Sequence, residues 1–435
     1  MSREPVEVGP PPERAVLFGC VTAQAARLGR ADVHDVLDEL AGLAEATGVE
    51  VVDRLVQRLD RPVAATYIGS GKVAELKRLI QARGANLALA DMDLSPAQAR
   101  NLTVELGVRV LDRSELIMDI FAGRARSAQA KLQVELAQLQ YALPRLRGQW
   151  SHLDRYVGGG VGTRGPGEKQ IETDRRIVNR RIRDLQRRLS VFERRKQLTL
   201  EGRQEARKVA LAGYTNTGKS TLFNRLTGAD EYAADRLFAT LDTRTRRWDL
   251  GDGGEVLLSD TVGFIRDLPH HLVASFHATL EEVIEADLVL HVVDASDPEA
   301  AVHIAVVRRV MDEIGAGKVP SIMVVNKIDR LTDRMDLQVL LNSIEDPLPV
   351  SAVSGEGLDR LTARVAAFFA GQQRRFRVRV PIAAGRALAM VRGLARVEQD
   401  DADEQGVDLV LRVEQRQLGR LRAWAEAEGL QLVRA

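Results

Sequence analysis

Residues 213–220 read Gly213-Tyr214-Thr215-Asn216-Thr217-Gly218-Lys219-Ser220, a complete G-x-x-x-x-G-K-[ST] phosphate-binding loop. An apolar, strand-like run over residues 209–212 precedes the loop, and a helix-like stretch over residues 221–226 follows it. Backbone N–H groups of such a loop and the helix N-terminus form a cage for phosphate groups. Lys219 can reach the β- and γ-phosphates, and the Ser220 hydroxyl can bind Mg²⁺. This context predicts nucleotide binding rather than an ordinary tight turn.

Three further segments follow in chain order, each after an apolar run typical of a buried strand. They are Asp260-Thr261-Val262-Gly263, Asn326-Lys327-Ile328-Asp329 and Ser351-Ala352-Val353. The aspartate of the first can hold the Mg²⁺ shell, and its glycine can donate a backbone N–H to the γ-phosphate. A buried carboxylate at Asp329 would accept hydrogen bonds from guanine N1–H and the 2-amino group, which adenine lacks, and the third segment would donate a backbone N–H to guanine O6. Together they predict a GTP-binding α/β domain with its ligands at the carboxyl ends of parallel strands.

A polar segment between the loop and Asp260 reads Phe238-Ala239-Thr240-Leu241-Asp242-Thr243. A threonine here can give its hydroxyl to Mg²⁺ and its N–H to the γ-phosphate. We predict that Thr240 does so, with Thr243 as the alternative. Lys219, Thr240 and Gly263 are then the residues predicted to stabilise the reacting phosphate, and Ser220 and Thr240 are the predicted metal ligands.

Two positions predict a GTPase that is slow alone. Phe264 follows Gly263 where Ras-like GTPases carry a glutamine that orients the attacking water, and a phenyl ring cannot hydrogen-bond water. Asn216 within the loop is compatible with a bound K⁺ that adds positive charge at the transition state. The alternative for Asn216 is an asparagine that simply tolerates a tight loop conformation.

The chain resembles the HflX family of GTPases over roughly residues 14–372. The resemblance rests on the phosphate loop, on Phe238-Ala239-Thr240-Leu241-Asp242, on Asp260-Thr261-Val262-Gly263-Phe264-Ile265 and on the upstream Gly158-Gly159-Gly160-Val161-Gly162-Thr163-Arg164-Gly165-Pro166-Gly167-Glu168. It implies phosphate, Mg²⁺ and guanine contacts at the residues already named. Thr243 stands where the family has proline, a departure that could loosen this segment without touching Thr240.

The resemblance also implies partners. Family members bind the large ribosomal subunit and act in splitting or rescuing ribosomes under stress, so this chain is expected to bind GTP, GDP and large-subunit rRNA. Two alternatives stay open, namely a GTPase of ribosome assembly and a GTP-dependent switch that binds another RNA or a protein.

Charge is distributed unevenly along the chain. The net charge is only +1, but residues 124–208 contain 21 lysines and arginines against 9 aspartates and glutamates, a net charge of +12. Phosphate neutralisation dominates nucleic-acid affinity, so this block predicts an RNA-facing surface, with a solvated arginine-rich helix face as the alternative.

The lone Cys20 excludes an intrachain disulfide, and no apolar run is long enough for a membrane span. We expect a cytoplasmic monomer.

The order of strand and helix patterns predicts five regions. They are a disordered tail over 1–13, an N-terminal α/β subdomain with a parallel sheet over 14–112, a basic helical hairpin over 113–206, the GTP-binding domain over 207–372 and a small α+β domain over 373–435. Two roles stay open for the last domain, namely a contact with the ribosome and a brace for the GTP-binding domain.

The hairpin is predicted from two apolar stripes at near-heptad spacing, one on a helix over 114–143 and one on a helix over 171–204. Its tip over 144–170 interleaves aromatic and arginine side chains with glycines. This composition suits stacking on unpaired bases and contact with phosphates. The RNA-binding candidates at the tip are Trp150, Arg155, Tyr156 and Arg164.

Overall fold

The computed structural model describes residues 13–22, 37–146, 168–201, 206–229, 238, 243–266, 277–331, 334–382, 384–414 and 417–435. The chain forms two compact units, one of Met1–Arg247 with Leu257–Gly355 and one of Trp248–Val256 with Glu356–Ala435. No helix in the described part of the chain is both long enough and apolar enough to cross a membrane.

The first unit begins with a parallel four-stranded sheet of order β2-β1-β3-β4. Its elements are β1 (Arg14–Thr22), α1 (Asp38–Thr47), β2 (Glu50–Leu59), α2 (Ser70–Arg83), β3 (Leu87–Ala90), α3 (Pro96–Leu106) and β4 (Arg109–Asp112). Gly48 and Gly84 end α1 and α2 in the left-handed conformation, and Ser95 caps α3 with Gln98 in a capping box. The sequence prediction of a small α/β fold with a parallel sheet is confirmed here.

The prediction of one helix over 114–143 is wrong. The segment forms two helices, α4 (Arg113–Arg124) and α5 (Ala128–Ala142). Ala125 takes an extended conformation, and the Ser127 hydroxyl accepts a hydrogen bond from the N–H of Ala130 at 3.0 Å, which starts α5 as a new helix. The break gives α4 a different packing partner from α5, since α4 lies against α1 in the core of the N-terminal sheet.

A long helix, α6 (Glu168–Glu201), packs on α5 along the two predicted apolar stripes. The shared cluster comprises Leu136, Leu139, Leu146, Val178, Ile182, Leu185 and Leu189. Pro144 lies in a single 3₁₀ turn that ends α5, as predicted. The RNA-binding candidates Trp150, Arg155, Tyr156 and Arg164 lie outside the described residues.

The phosphate loop belongs to a six-stranded sheet of order β10-β9-β8-β5-β7-β6, in which the strands from β10 to β7 pair in parallel. Its elements are β5 (Lys208–Gly213), α7 (Lys219–Thr227), β6 (Arg244–Asp249), β7 (Glu255–Asp260), α8 (His277–Ile284), β8 (Leu288–Asp294), α9 (Ala300–Glu313), β9 (Ser321–Asn326), α10 (Arg334–Asn342) and β10 (Leu348–Pro349). Strands β5, β8 and β9 are almost fully buried, as expected for a parallel sheet covered on both faces.

The second unit contains an antiparallel sheet of order β12-β13-β11-β14. Its regular elements are α11 (Leu358–Gly371), β11 (Gln373–Pro381), α12 (Gly385–Leu394), β12 (Arg396–Ala402), β13 (Gly406–Glu414), α13 (Leu418–Ala427) and β14 (Val433–Arg434). Helices α12 and α13 cover one face, where Phe376, Val378 and Val380 of β11 meet Val391 and Trp424. The predicted α+β character is confirmed, although the sequence reading missed β12.

Candidate nucleotide-binding site

The phosphate loop connects β5 to α7 and has the geometry of a tight cage. Gly218 caps α7 with φ of +87°, and a Cβ at this position would lie 2.4 Å from the amide nitrogen of Asn326. Only glycine both adopts this positive φ at low cost and leaves room for the Asn326 side chain. Asn216 also has a positive φ, +61°, a conformation that asparagine tolerates better than most residues. That geometry accounts for asparagine at position 216 without a bound ion.

Lys219 is buried beneath the loop. Its Nζ donates to the carbonyl oxygens of Tyr214 at 2.7 Å and of Gly213 at 3.1 Å. Burial lowers the pKa of Lys219 to about 8, although the nearby Asp260 carboxylate partly opposes this shift. A lysine held in this way gains most from an anion placed in the cage, because the anion favours the charged form.

Asp260 and Ser220 form the oxygen-lined part of the site. Asp260 ends β7 and is fully buried, and the Ser220 hydroxyl donates to its Oδ2 at 2.7 Å. A hydroxyl and a buried carboxylate are hard oxygen donors of the kind that Mg²⁺ prefers, so this donor set fits the ion. Thr240, predicted to complete the set, lies outside the described residues together with Ala239, Leu241 and Asp242, whereas the alternative Thr243 lies just before β6.

The segment after Asp260 lies directly against the phosphate loop. The N–H of Phe264 donates to the Gly213 carbonyl at 3.0 Å, and the N–H of Thr215 donates to the Phe264 carbonyl at 2.7 Å. The Phe264 side chain is buried in the hydrophobic cluster of the first unit. A Cβ on Gly263 would lie 2.7 Å from the Thr215 Cα and 3.0 Å from the Lys219 Nζ. The two segments approach as closely as a glycine permits.

The two predicted base-binding segments, 326–329 and 351–353, come together with the phosphate loop at the ends of β9 and β10. The Asn326 side chain joins them, since its Nδ2 donates to the Thr217 carbonyl at 2.9 Å and its Oδ1 accepts from the N–H of Ala352 at 3.0 Å. Lys327 Nζ contacts the Asn216 carbonyl at 2.6 Å and the Asp294 carboxylate at 2.7 Å.

One expectation at this edge is corrected. Asp329 is exposed rather than buried, because it lies in a short 3₁₀ turn beyond the end of β9. Its Oδ1 accepts a hydrogen bond from the Ser351 hydroxyl at 2.5 Å. Val353 is 72 % exposed, whereas Ser351 and Ala352 are buried. A guanine contacting Asp329 would therefore have to exclude water from the carboxylate itself.

The N-terminal sheet and helices α1–α4, here called the N-terminal module, contact the nucleotide site. Helix α4 contacts Phe238, the first residue of the polar segment 238–243. Phe238 packs edge-on against Phe121 with ring centroids 4.7 Å apart, and its carbonyl accepts from Arg124 at 2.5 Å. The N–H of Phe238 donates to the Thr215 hydroxyl at 3.0 Å. Phe238 thus contacts both the N-terminal module and the phosphate loop.

A buried ionic network also joins the N-terminal module to the phosphate loop, and the sequence reading missed it. Glu39 of α1 accepts hydrogen bonds from the Tyr214 hydroxyl, from Arg113 at 2.5 Å and from Arg266 Nε at 2.9 Å. The Tyr214 hydroxyl in turn accepts from the N–H of Arg266 at 2.9 Å. Burial alone would raise the pKa of Glu39, but Arg113, Arg266 and the tyrosine hydrogen bond hold that pKa below its usual range. No local pattern marks Glu39, because its partners are up to 227 residues away.

Comparisons with known proteins show the family to which the chain belongs. Three family profiles match consecutive parts of the chain, described as GTP-binding GTPase N-terminal (residues 34–122), GTP-binding GTPase Middle Region (124–203) and 50S ribosome-binding GTPase (208–327). The GTPase HflX of Magnetococcus marinus is 44% identical over 424 residues, which cover 97% of each chain. The chain belongs to the HflX family of GTPases.

A second curated relative agrees with this assignment. The HflX protein of Escherichia coli K12 is 44% identical over 384 residues, 86% of this chain and 88% of its own. A solved GTP-binding protein of the archaeon Sulfolobus solfataricus in complex with GDP is 25% identical and covers 82% of this chain and 98% of its own, with a TM-score of 0.41. Membership of the HflX family confirms the predicted P-loop fold and the predicted GTPase activity.

Proposed function

We propose that this HflX-family GTPase binds the large ribosomal subunit in its GTP-bound form through the hairpin of α5 and α6, and that it acts in splitting or rescuing ribosomes under stress. The observation that carries the proposal is the outer face of α6. Val178, Ile182, Leu185 and Leu189 pack on α5. The arginines on the other sides of the helix face solvent: Arg176, Arg180, Arg181, Arg183, Arg187 and Arg188 are all exposed. The match to the profile of a 50S ribosome-binding GTPase supports the same partner.

The acidic residues near this face offset little of its charge. Arg181 pairs with Glu135 of α5 at 2.6 Å, and Arg187 lies 4.0 Å from Asp184. Exposed pairs of this kind contribute little and are easily exchanged for other partners. Arginines that neutralise RNA phosphates would release the counterions condensed on the RNA, so the affinity should fall steeply with salt.

Within the site, the phosphate loop residues would bind the β- and γ-phosphates, and Asn326, Lys327 and Asp329 would bind guanine. Ser220 and Thr240 would hold Mg²⁺, with the Asp260 carboxylate hydrogen-bonded to Ser220, and the ion would neutralise charge that develops on the phosphates. K⁺ at Asn216 stays a prediction, which a comparison of GTP turnover in K⁺ and Na⁺ salts would check.

The deciding experiment is co-sedimentation of the full chain with purified large subunits, loaded with a GTP analogue or with GDP, over a range of salt. Arg180→Glu with Arg183→Glu should weaken binding of the analogue-loaded protein, whereas Arg100→Glu, an exposed arginine on α3, should not. Deleting residues 150–167 should also weaken binding while GTP affinity is kept. Equal binding by all variants would contradict the proposal, and binding only to immature particles would favour the assembly alternative.

A further inference from the structure

The outer face of the C-terminal sheet carries three arginines side by side. In the strand register Arg375 of β11 lies opposite Arg412 of β13, and Arg412 lies opposite Arg396 of β12. Residues directly opposite in an antiparallel sheet point to the same face, and like charges in such pairs repel. Arg377, two residues along β11, points the same way because side chains alternate along a strand.

Two carboxylates line the groove with these arginines. Glu398 binds Arg375 Nε at 2.7 Å and also contacts Arg412, and the hydrogen bond from Arg375 lowers the pKa of Glu398. Asp252 is the other, and its backbone carbonyl accepts from Arg396 at 3.4 Å. Within the described part of the chain, the Arg377 side chain makes no ion pair and no hydrogen bond. Ala435 also lines the groove, so four arginines stand against these two carboxylates and the terminal carboxylate, which leaves a small net positive charge.

The excess charge is confined to one end of this face. Two residues beyond Arg377, Arg379 is bound by Asp403 at 2.6 Å and by Asp408 at 3.1 Å. The arginines at the other end border an open groove of about 680 Å³, which Val397, Gln399 and Val410 also line. Guanidinium groups bind phosphate oxygens through two parallel hydrogen bonds, and a polyanion would relieve their mutual repulsion.

We propose that this groove, lined by Arg375, Arg377, Arg396 and Arg412, is a second RNA-binding site that contacts the phosphate backbone independently of the helical hairpin. The choice of ribosomal RNA as the natural ligand rests on the proposed function, whereas the chemistry of the groove requires only a chain of phosphates. Because the groove contacts the backbone rather than base edges, it binds without regard to sequence. It gives the C-terminal domain a role in holding the protein on RNA.

The test uses the full chain with two matched variants, Arg377→Ala and Arg379→Ala. Both residues are exposed and on the same face of the same strand, but Arg379 is already neutralised by two carboxylates. The probes are purified large subunits and a fluorescent single-stranded RNA. Arg377→Ala should reduce affinity for both probes severalfold and make the slope of log K against log salt shallower by about one. Arg379→Ala should leave both quantities unchanged, and both variants should keep the melting temperature and GTP affinity.

Other outcomes of these experiments would contradict the proposed RNA-binding groove or the proposed function. Equal affinity of Arg377→Ala and the unaltered chain for both probes would overturn the proposal, as would equal losses in both variants. Cross-links from residues 375–377 to a ribosomal protein in place of RNA would assign the groove to a protein partner. If the chain fails to bind large subunits at all, the proposed function falls, while the RNA oligomer still decides whether the groove binds phosphates.

Discussion

At the scale of single residues, the site depends on a few side chains whose surroundings set their properties. Lys219 is buried against backbone carbonyls, Gly263 fits where no larger residue can, and Phe264 is in the core instead of at the phosphates. Each of these restrictions follows from the close approach of two backbone segments. Two of them lead to direct tests.

The lowered pKa of Lys219 predicts a pH-dependent nucleotide affinity. The free protein holds Lys219 charged below pH about 8 and neutral above it, whereas the phosphates favour the charged form. Binding should therefore take up a proton above pH 8, and affinity for GDP should fall by up to about tenfold per pH unit there. Titration calorimetry from pH 7 to 9.5 in buffers of different ionisation enthalpy measures the proton uptake on binding and the GDP affinity. Lys219→Met should bind weakly with no such dependence, and a flat affinity in the unaltered chain would refute the prediction.

Gly263→Ala should disturb the contact between the two backbone segments. The added methyl would meet the Thr215 Cα at 2.7 Å, and a backbone atom cannot move aside at low cost. We expect a loss of about 1–3 kcal/mol in the free energy of unfolding, together with slower GTP turnover. Gly71→Ala is the control, since it lies in helix α2 with nothing within 4 Å. Chemical denaturation of both variants measures the difference, and equal stability would count against the close approach described.

At the scale of elements, helices α1 and α4 connect the N-terminal module to the nucleotide loops. Helix α1 supplies Glu39, while α4 begins with Arg113 and ends with Phe121 and Arg124 in contact with Phe238. The break between α4 and α5 allows this arrangement, because one continuous helix could not pack both on α1 and on α6. The two halves of the predicted helix therefore stabilise different parts of the molecule.

Glu39→Gln should be strongly destabilising. The substitution removes the anion shared by Arg113 and Arg266, whose side chains are only 3% and 6% exposed. Arg113 would keep its pair with Asp91 at 3.1 Å, whereas Arg266 would lose its carboxylate partner. Breaking a buried pair costs about 3–5 kcal/mol, so the free energy of unfolding should fall by up to that amount. Asp38→Asn is the matched control, as Asp38 is the neighbouring residue and its pair with Arg54 is solvent-exposed. The control should change stability by less than about 1 kcal/mol. Similar losses in both variants would mean that the network contributes no more than a surface pair.

At the scale of the whole molecule, GTP hydrolysis and RNA binding are assigned to different modules, so we expect one to stimulate the other. Phe264 cannot position water, and its ring is buried. We predict that large subunits raise the GTP turnover rate on the order of 10²-fold, the usual contribution of a positioned group in proton transfer. Single-turnover hydrolysis with and without subunits measures the effect. The Arg180→Glu, Arg183→Glu variant should lose the stimulation and keep the basal rate. Identical rates with and without subunits would remove this part of the proposal.

The sequence by itself determined the local chemistry of this protein. The spacing of Gly213, Gly218 and Lys219, the order of the later segments and the glycines that end helices are local features, because each depends on neighbouring residues and their backbone conformations. The two apolar stripes of the hairpin could be read for the same reason, although the break at Ala125–Ser127 could not. The residues on both sides of this break favour a helix, so the local sequence does not reveal the turn. The turn is stabilised by the separate packing of α4 and α5 in the tertiary structure.

Only the tertiary structure decided which distant residues meet. Glu39 reaches Tyr214 from 175 positions away, and the arginines at 375, 396 and 412 form one row only in the strand register that the C-terminal sheet adopts. A one-residue shift in that register would move side chains to the opposite face. Such contacts depend on how buried surfaces fit together over the whole chain, and no short stretch of sequence contains that information.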